Sequence, residues 1–212
     1  GQLAALKTAS IAALQTADIA AFTTDQIESL TTAQLIALST TQIAALGTQS
    51  IAALETVDIA ALTTAQAVAL KTAQLVALTT DQVSVLTTAQ VAAFSTASVA
   101  AMQTADVAVM NTAQLVSLTT AQIAAMTTAQ IAAVSVDNIV AIETADIRAM
   151  TTAQVVGLST AQVAALTTAQ VAAFNTAGIA AMQAVDVASL SVDQSPVLTT
   201  AQAVALTTAQ LV

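Results

Sequence analysis

Ile59-Ala60-Ala61-Leu62-Thr63-Thr64-Ala65-Gln66 recurs, with substitutions, twenty-six times between Leu3 and Gln210 without an insertion or deletion. Ile123-Ala124-Ala125-Met126-Thr127-Thr128-Ala129-Gln130 is a nearly identical second copy. A strict short period marks a repeat array, in which each unit buries its apolar face only by stacking on other units. We number the places of the octad from its Ile. Place four is a large apolar residue in all twenty-six copies, and place one is Ile, Val or Leu in twenty-three. These two places must face a core. Ala67, Ser195 and Ala203 are the exceptions at place one, and Val68 and Val204 follow two of them as if the apolar group had moved over. Place five varies freely, through Lys7, Gln15, Gly47, Glu55 and Asn111, and should be exposed.

A continuous α-helix does not fit, because eight residues leave a drift of about 80° per unit at 100° per residue. A β-arrangement fits poorly, since neither strand face would alternate cleanly and Ala and Gln are weak strand formers. A β-solenoid with twenty-four residues per coil is the alternative architecture. The best fit is one short helix of about six residues per octad, then a break. Thr at place six is the expected N-cap. A second register, with place five capping and Gln at place eight as its capping-box partner, also fits many units. In the first register Gly47, Asn111 and Asn175 at place five follow a helix end, a spot that accepts left-handed backbone. Ser135 and Ser191 would cap the two units in which place six is Val, and Gln194 completes a box spacing. At Ser195-Pro196, Ser195 would be a new cap with Pro196 as the first helical residue.

A longer period lies inside the short one. Asp18, Asp58, Asp106, Asp146 and Asp186 all stand at place eight, at spacings of 40, 48, 40 and 40 residues. One unit before each is a small residue at the same place: Ser10, Ser50, Ser98, Asn138 and Gly178. Three residues before each stands Gln15, Glu55, Gln103, Glu143 or Gln183. Three explanations compete: a corner recurring once per coil, duplication of a forty-residue block, and an acidic row able to hold cations. The corner reading predicts an all-α superhelical solenoid with about five octads per coil, and the five Asp form the candidate cation row.

The chain of 212 residues carries 12 acidic and 3 basic residues, a net charge of −9. That balance, with no basic patch, speaks against nucleic acid and anionic membrane as partners. Mean hydropathy is high at +0.83, yet a polar patch returns every eight residues, so no stretch suits a membrane-spanning helix. With no His, Cys, Tyr or Trp, histidine base catalysis, thiol nucleophiles and imidazole–zinc sites are out of reach. We expect no enzyme and no cofactor. Glu55/Asp58 and Glu143/Asp146 read as solvated caps, and Lys7, Lys71 and Arg148 as solvated charges. Met102, Met110, Met126, Met150 and Met182 all lie at place four and read as core. The register places residues 1–212 in a single array, cut within a unit at both ends.

The strings Leu62-Thr63-Thr64-Ala65-Gln66 and Ala125 to Ala133 resemble the TTAQ octad arrays of very large bacterial surface proteins. Those are often labelled heme-utilisation or adhesion proteins, or RTX-like exoproteins. The resemblance covers essentially the whole chain. It implies an extracellular or cell-surface spacer or stalk, whose partners are neighbouring repeats of a longer chain and possible end-to-end copies of itself. No heme-ligand pattern accompanies it, as there is no His or Tyr and the Met occupy core places. Two other functions fit the array: a superhelical groove holding a peptide, lipid or glycan, and a Thr lattice that binds ice or assembles into fibres.

Overall fold

The computed structural model describes residues 3–211. Within them lie twenty-four α-helices of four to six residues and three single 3-10 turns, one element for nearly every octad, and no strand. The all-α solenoid is the architecture, and the β-solenoid is not. Gly1, Gln2 and Val212 fall outside the described residues, and with them the expectation of cut ends.

Each α-helix starts at place six with place five in the N-cap position, and a Thr, Ser or Asn there caps it through its side chain, whereas Gly47, Glu55 and Glu143 do not. Thr64–Ala69 has Thr63 as its N-cap, extended at φ −63° and ψ 155°. The Thr63 hydroxyl accepts from the Gln66 amide at 3.2 Å, and the Thr63 amide donates to Gln66 Oε1 at 2.9 Å. This reciprocal box satisfies two donors that a helix N-terminus otherwise leaves orphaned. The register expected first is therefore off by one residue, and the second register is the true one. Thr at place six is the first helical residue. The place-five Ser in the two Val units, Ser135 and Ser191, supply the cap in the ordinary position.

The break follows from the same two places. Leu62 at place four has ψ 134° and Thr63 follows at ψ 155°, so two extended residues separate one helix from the next. No described residue has positive φ. Gly47, Asn111 and Asn175 are extended N-caps rather than left-handed helix ends. Ser195-Pro196 also departs from expectation. Ser191 and Gln194 keep the capping box, and Ser195–Val197 form a 3-10 turn behind it, where the missing amide of Pro196 costs nothing.

The described residues form two compact units, one within Gly1–Val109 and one within Met110–Val212; the octad register continues through the division in sequence. Each is built the same way, with helices packing on the element three octads along the chain. In the first, Thr64–Ala69 touches Thr40–Ile43 and Thr88–Ala93; in the second, Thr152–Val156 touches Thr128–Ala133 and Thr176–Ala181. Hydrogen bonds between coils join residues 25 to 31 apart. A coil thus takes between three and four octads, and the expected five is corrected. The two extended residues turn the chain by roughly 100° per octad, as a coil of about 3.5 octads requires. A five-octad coil would surround a lumen too wide for one ring of place-one and place-four side chains to fill at protein packing density.

Those side chains are the core. Ile59, Ile123, Ile131 and Ile147 at place one are fully buried, and the five Met and most Leu at place four are buried; the exceptions, Leu6, Leu14, Leu190, Leu198 and Leu206, lie toward the ends of the chain. Ala67 stays inside while Val68 is 50% exposed, so the apolar group does not move over; Val204, at 81%, is more exposed still. One Ile and one Leu cannot offset the entropy of ordering eight residues, and a unit holds only within its stack.

Candidate functional site

The recurrent polar feature is the Gln at place eight. It occupies sixteen of the twenty-six copies, and where coils stack it is almost wholly buried: Gln82 is 1% exposed. Its Oε1 accepts the Thr79 amide at 2.9 Å, completing the box. Its Nε2 donates to the carbonyls of Ile51 at 2.9 Å and Leu54 at 2.7 Å, 31 and 28 residues back. Gln74, Gln90, Gln154, Gln162 and Gln170 repeat the pattern. One side chain thereby caps the N-terminus of its own helix and the C-terminal carbonyls of a helix in the coil beneath. Place four ends its helix with a carbonyl that the helix cannot use, and the carboxamide supplies both polarities needed between the two ends.

Asp at place eight keeps half of that role. The carboxylates of Asp18 and Asp106 accept the amides of Gln15 and Gln103, but a carboxylate has no donor for the carbonyls below. In two of these units place five takes over: Gln103 Nε2 donates to Val76 at 2.9 Å and Gln183 Nε2 to Val156 at 3.4 Å. Gly178 has no side chain, and Asn175 three residues earlier reaches the Arg148 and Met150 carbonyls instead. Asn138 keeps its own donor, to Met110 at 2.8 Å. Thr at place six also joins in, Thr32 donating to Asp58 and Thr160 to Asp186, each at 2.7 Å.

Within neither unit do the place-eight Asp stack. Forty and forty-eight residues fall between one coil spacing of 25–31 and two, so Asp18, Asp58 and Asp106 in the first unit, and Asp146 and Asp186 in the second, point successively from different sides of a coil. Among the described residues no three carboxylates meet at a metal-holding distance. The candidate cation row of Asp18, Asp58, Asp106, Asp146 and Asp186 is thus not continuous within either unit. Asp58, Asp106, Asp146 and Asp186 are buried instead of solvated, and only Asp18 is exposed. Burial pushes the Asp106 carboxyl above its ordinary value, and the Gln103 amide pulls it partly back. Asp186 Oδ2 is buried with no hydrogen-bond partner. Glu55, Glu143, Lys7, Lys71 and Arg148 are exposed, as expected.

Burial of place eight was missed from sequence, though a signal was present. Place five admits Lys7, Lys71, Glu55 and Glu143, whereas place eight admits only Gln and residues no larger than it, never Lys, Arg or Glu. A surface cap has no such ceiling.

The ALTTAQ repeat family matches residues 1–32, 11–48, 51–88, 59–96, 99–136 and 139–176. The chain belongs to this family. No curated protein and no solved structure matches it. In an ALTTAQ array the letters now have places: Leu closes one helix, the first Thr caps the next, and Gln ties that cap to the coil below. No described helix is long and apolar enough to cross a membrane.

Proposed function

We propose that this ALTTAQ array is a non-enzymatic structural segment, a spacer or stalk in a secreted or cell-surface bacterial protein of adhesin type. One observation carries the reading. The most regular polar side chain, Gln at place eight, is consumed by bonds between coils, so the repeated chemistry serves stacking. Such a design adds length per repeat without adding a site. The resemblance to surface-protein arrays supports the location, and the absence of Cys suits export.

At a helix-packing distance of 8–10 Å per coil, each octad would contribute about 2.5 Å. Small-angle scattering on chains lengthened or shortened by whole octads tests this. A maximum dimension that rises linearly at that increment supports a spacer. A dimension growing only as the cube root of mass would reject it. Surface labelling of cells carrying the native protein tests the location.

The Thr-lattice alternative is disfavoured by a specific contact set. Thr63, Thr79, Thr87 and Thr127 at place five spend their hydroxyls as caps on place-eight amides.

A further inference from the structure

We propose that an open notch of about 550 Å³ in the first unit, lined by Phe22, Thr23, Gly47 and Ser50, is a binding site for a primary carboxamide. The inference is independent of the spacer reading. In the octad Ile43–Ser50 both places that elsewhere reach the coil below are truncated: place five is Gly47 and place eight is Ser50. A Gln there would reach the carbonyls 31, 30 and 28 residues back, as Gln66 reaches Leu35, Ile36 and Leu38. For position 50 those carbonyls belong to Ile19, Ala20 and Phe22. Among the described residues neither the Ala20 nor the Phe22 carbonyl accepts a hydrogen bond, and neither the Gly47 nor the Ser50 amide donates one. Gly47 and Ser50 leave room, since a Cβ on Gly47 would meet nothing nearer than Ser50 Oγ at 3.7 Å.

The backbone therefore presents the donor and acceptors that hold a carboxamide in the neighbouring units. In the unit beginning at Ser39, Gln42 Oε1 takes the Ser39 amide at 2.7 Å and Nε2 gives to Ala12 and Leu14 at 3.1 and 2.7 Å. A ligand carbonyl would accept from Gly47 N–H, and its NH2 would donate to the Phe22 carbonyl and to Ala20 or Ile19. A carboxylate lacks the donor, and a tertiary amide lacks it too. The amide can come from a free small molecule or from a Gln side chain in a peptide, which extend differently out of the open side.

Nitrogen-15 NMR of the full chain, titrated with propionamide, is the test. Gly47 is one of four glycines, so its amide is resolvable, with Gly157 and Gly178 as internal controls. We expect saturable shifts at Gly47 and Ser50 with no change at the two controls. N,N-dimethylpropionamide and propionate should bind about five- to tenfold more weakly, the factor of one neutral hydrogen bond. Ser50→Gln, which restores the side chain its neighbours carry, should remove the response and raise the melting temperature. A blocked glutamine amide that binds more tightly than propionamide assigns the site to peptide; equal binding assigns it to small amides. Equal shifts with the dimethyl compound, shifts spread over all three glycines, or a response surviving both Ser50→Gln and Gly47→Thr would overturn the proposal.

Discussion

Replacing Gln82 by Ala should be among the most damaging polar substitutions in the first unit. Four hydrogen bonds end at this side chain, to the Thr79 amide and to the Ile51, Leu54 and, at a longer 3.4 Å, Ala52 carbonyls. Each of the shorter ones is worth about 1 kcal/mol net. The Ile51 carbonyl keeps a partner in the Leu54 amide, but the Leu54 carbonyl is left buried and unpaired, adding roughly 1–2 kcal/mol. The expected loss is about 3–5 kcal/mol. Gln26→Ala is the matched control. Gln26 makes the same box with Thr23 at 2.9 and 3.3 Å, is exposed, and has no coil beneath it. Its loss should stay near 1 kcal/mol, the ordinary worth of a cap.

Urea unfolding followed by helical circular dichroism reads both values. Gln82→Glu separates the roles further. A carboxylate still accepts from Thr79 but sets negative charge against two carbonyl oxygens, so at pH 7 it should cost more than Ala. Lowering the pH returns one donor through protonation and should recover part of the loss. Equal costs for Gln82→Ala and Gln26→Ala would mean that the bonds between coils contribute nothing, and the argument for a stacking array would fail with them.

Leu62→Ala should cost about 2–5 kcal/mol by opening a cavity in the stack, against about 1 kcal/mol for Thr63→Lys, which loses only a cap; urea midpoints compare the two. Asp106→Asn should stabilise the chain by about 1 kcal/mol at pH 7. The sign follows from burial: a carboxyl raised above its unfolded value contributes stability at acid pH and loses it as pH rises through the raised value. Asn avoids that loss and can donate to the carbonyl below as Asn138 does, so the gain should shrink toward pH 3, as thermal melts at both pH values would show. Millimolar calcium should leave the melting temperature unchanged, because the Asp do not stack within either unit; a rise of several degrees would contradict that geometry.

The helix-break-helix alternation was legible because it rests on local signals: apolar residues at places one and four, a capping residue, and a length excluding both a long helix and regular strands. The cap register was harder, since Thr stands at both places five and six and either can cap. Ser135 and Ser191 held the answer. Each stands at place five where place six is Val, and a cap that survives when its rival is lost marks the true position. The coil count was not legible. It depends on how sharply Leu62 and Thr63 turn the chain, which no periodicity records, and the forty-residue spacing of the Asp invited the wrong number.

That spacing has a physical content other than a corner. A place-eight residue must give a proton to the coil below and take one from its own cap. Gln does both. Asp and Gly do not, and at Gln103/Asp106, Gln183/Asp186 and Asn175/Gly178 the donor moves three residues up the chain to place five. The pairing of Gln with Asp across three residues therefore conserves the number of donors reaching down, whatever side of the coil it falls on. Glu55/Asp58 and Glu143/Asp146 break this rule, because neither member is a donor when ionised. The prediction is sharp: Glu55→Gln, which restores the donor without touching buried Asp58, should stabilise the chain by about 1 kcal/mol at pH 7. Gln103→Glu, the reverse exchange, should cost as much. Both positions are exposed, so core packing does not enter. If the two changes leave the urea midpoint where it was, the donors at place five are incidental, and the forty-residue pattern is inherited duplication with no structural work to do.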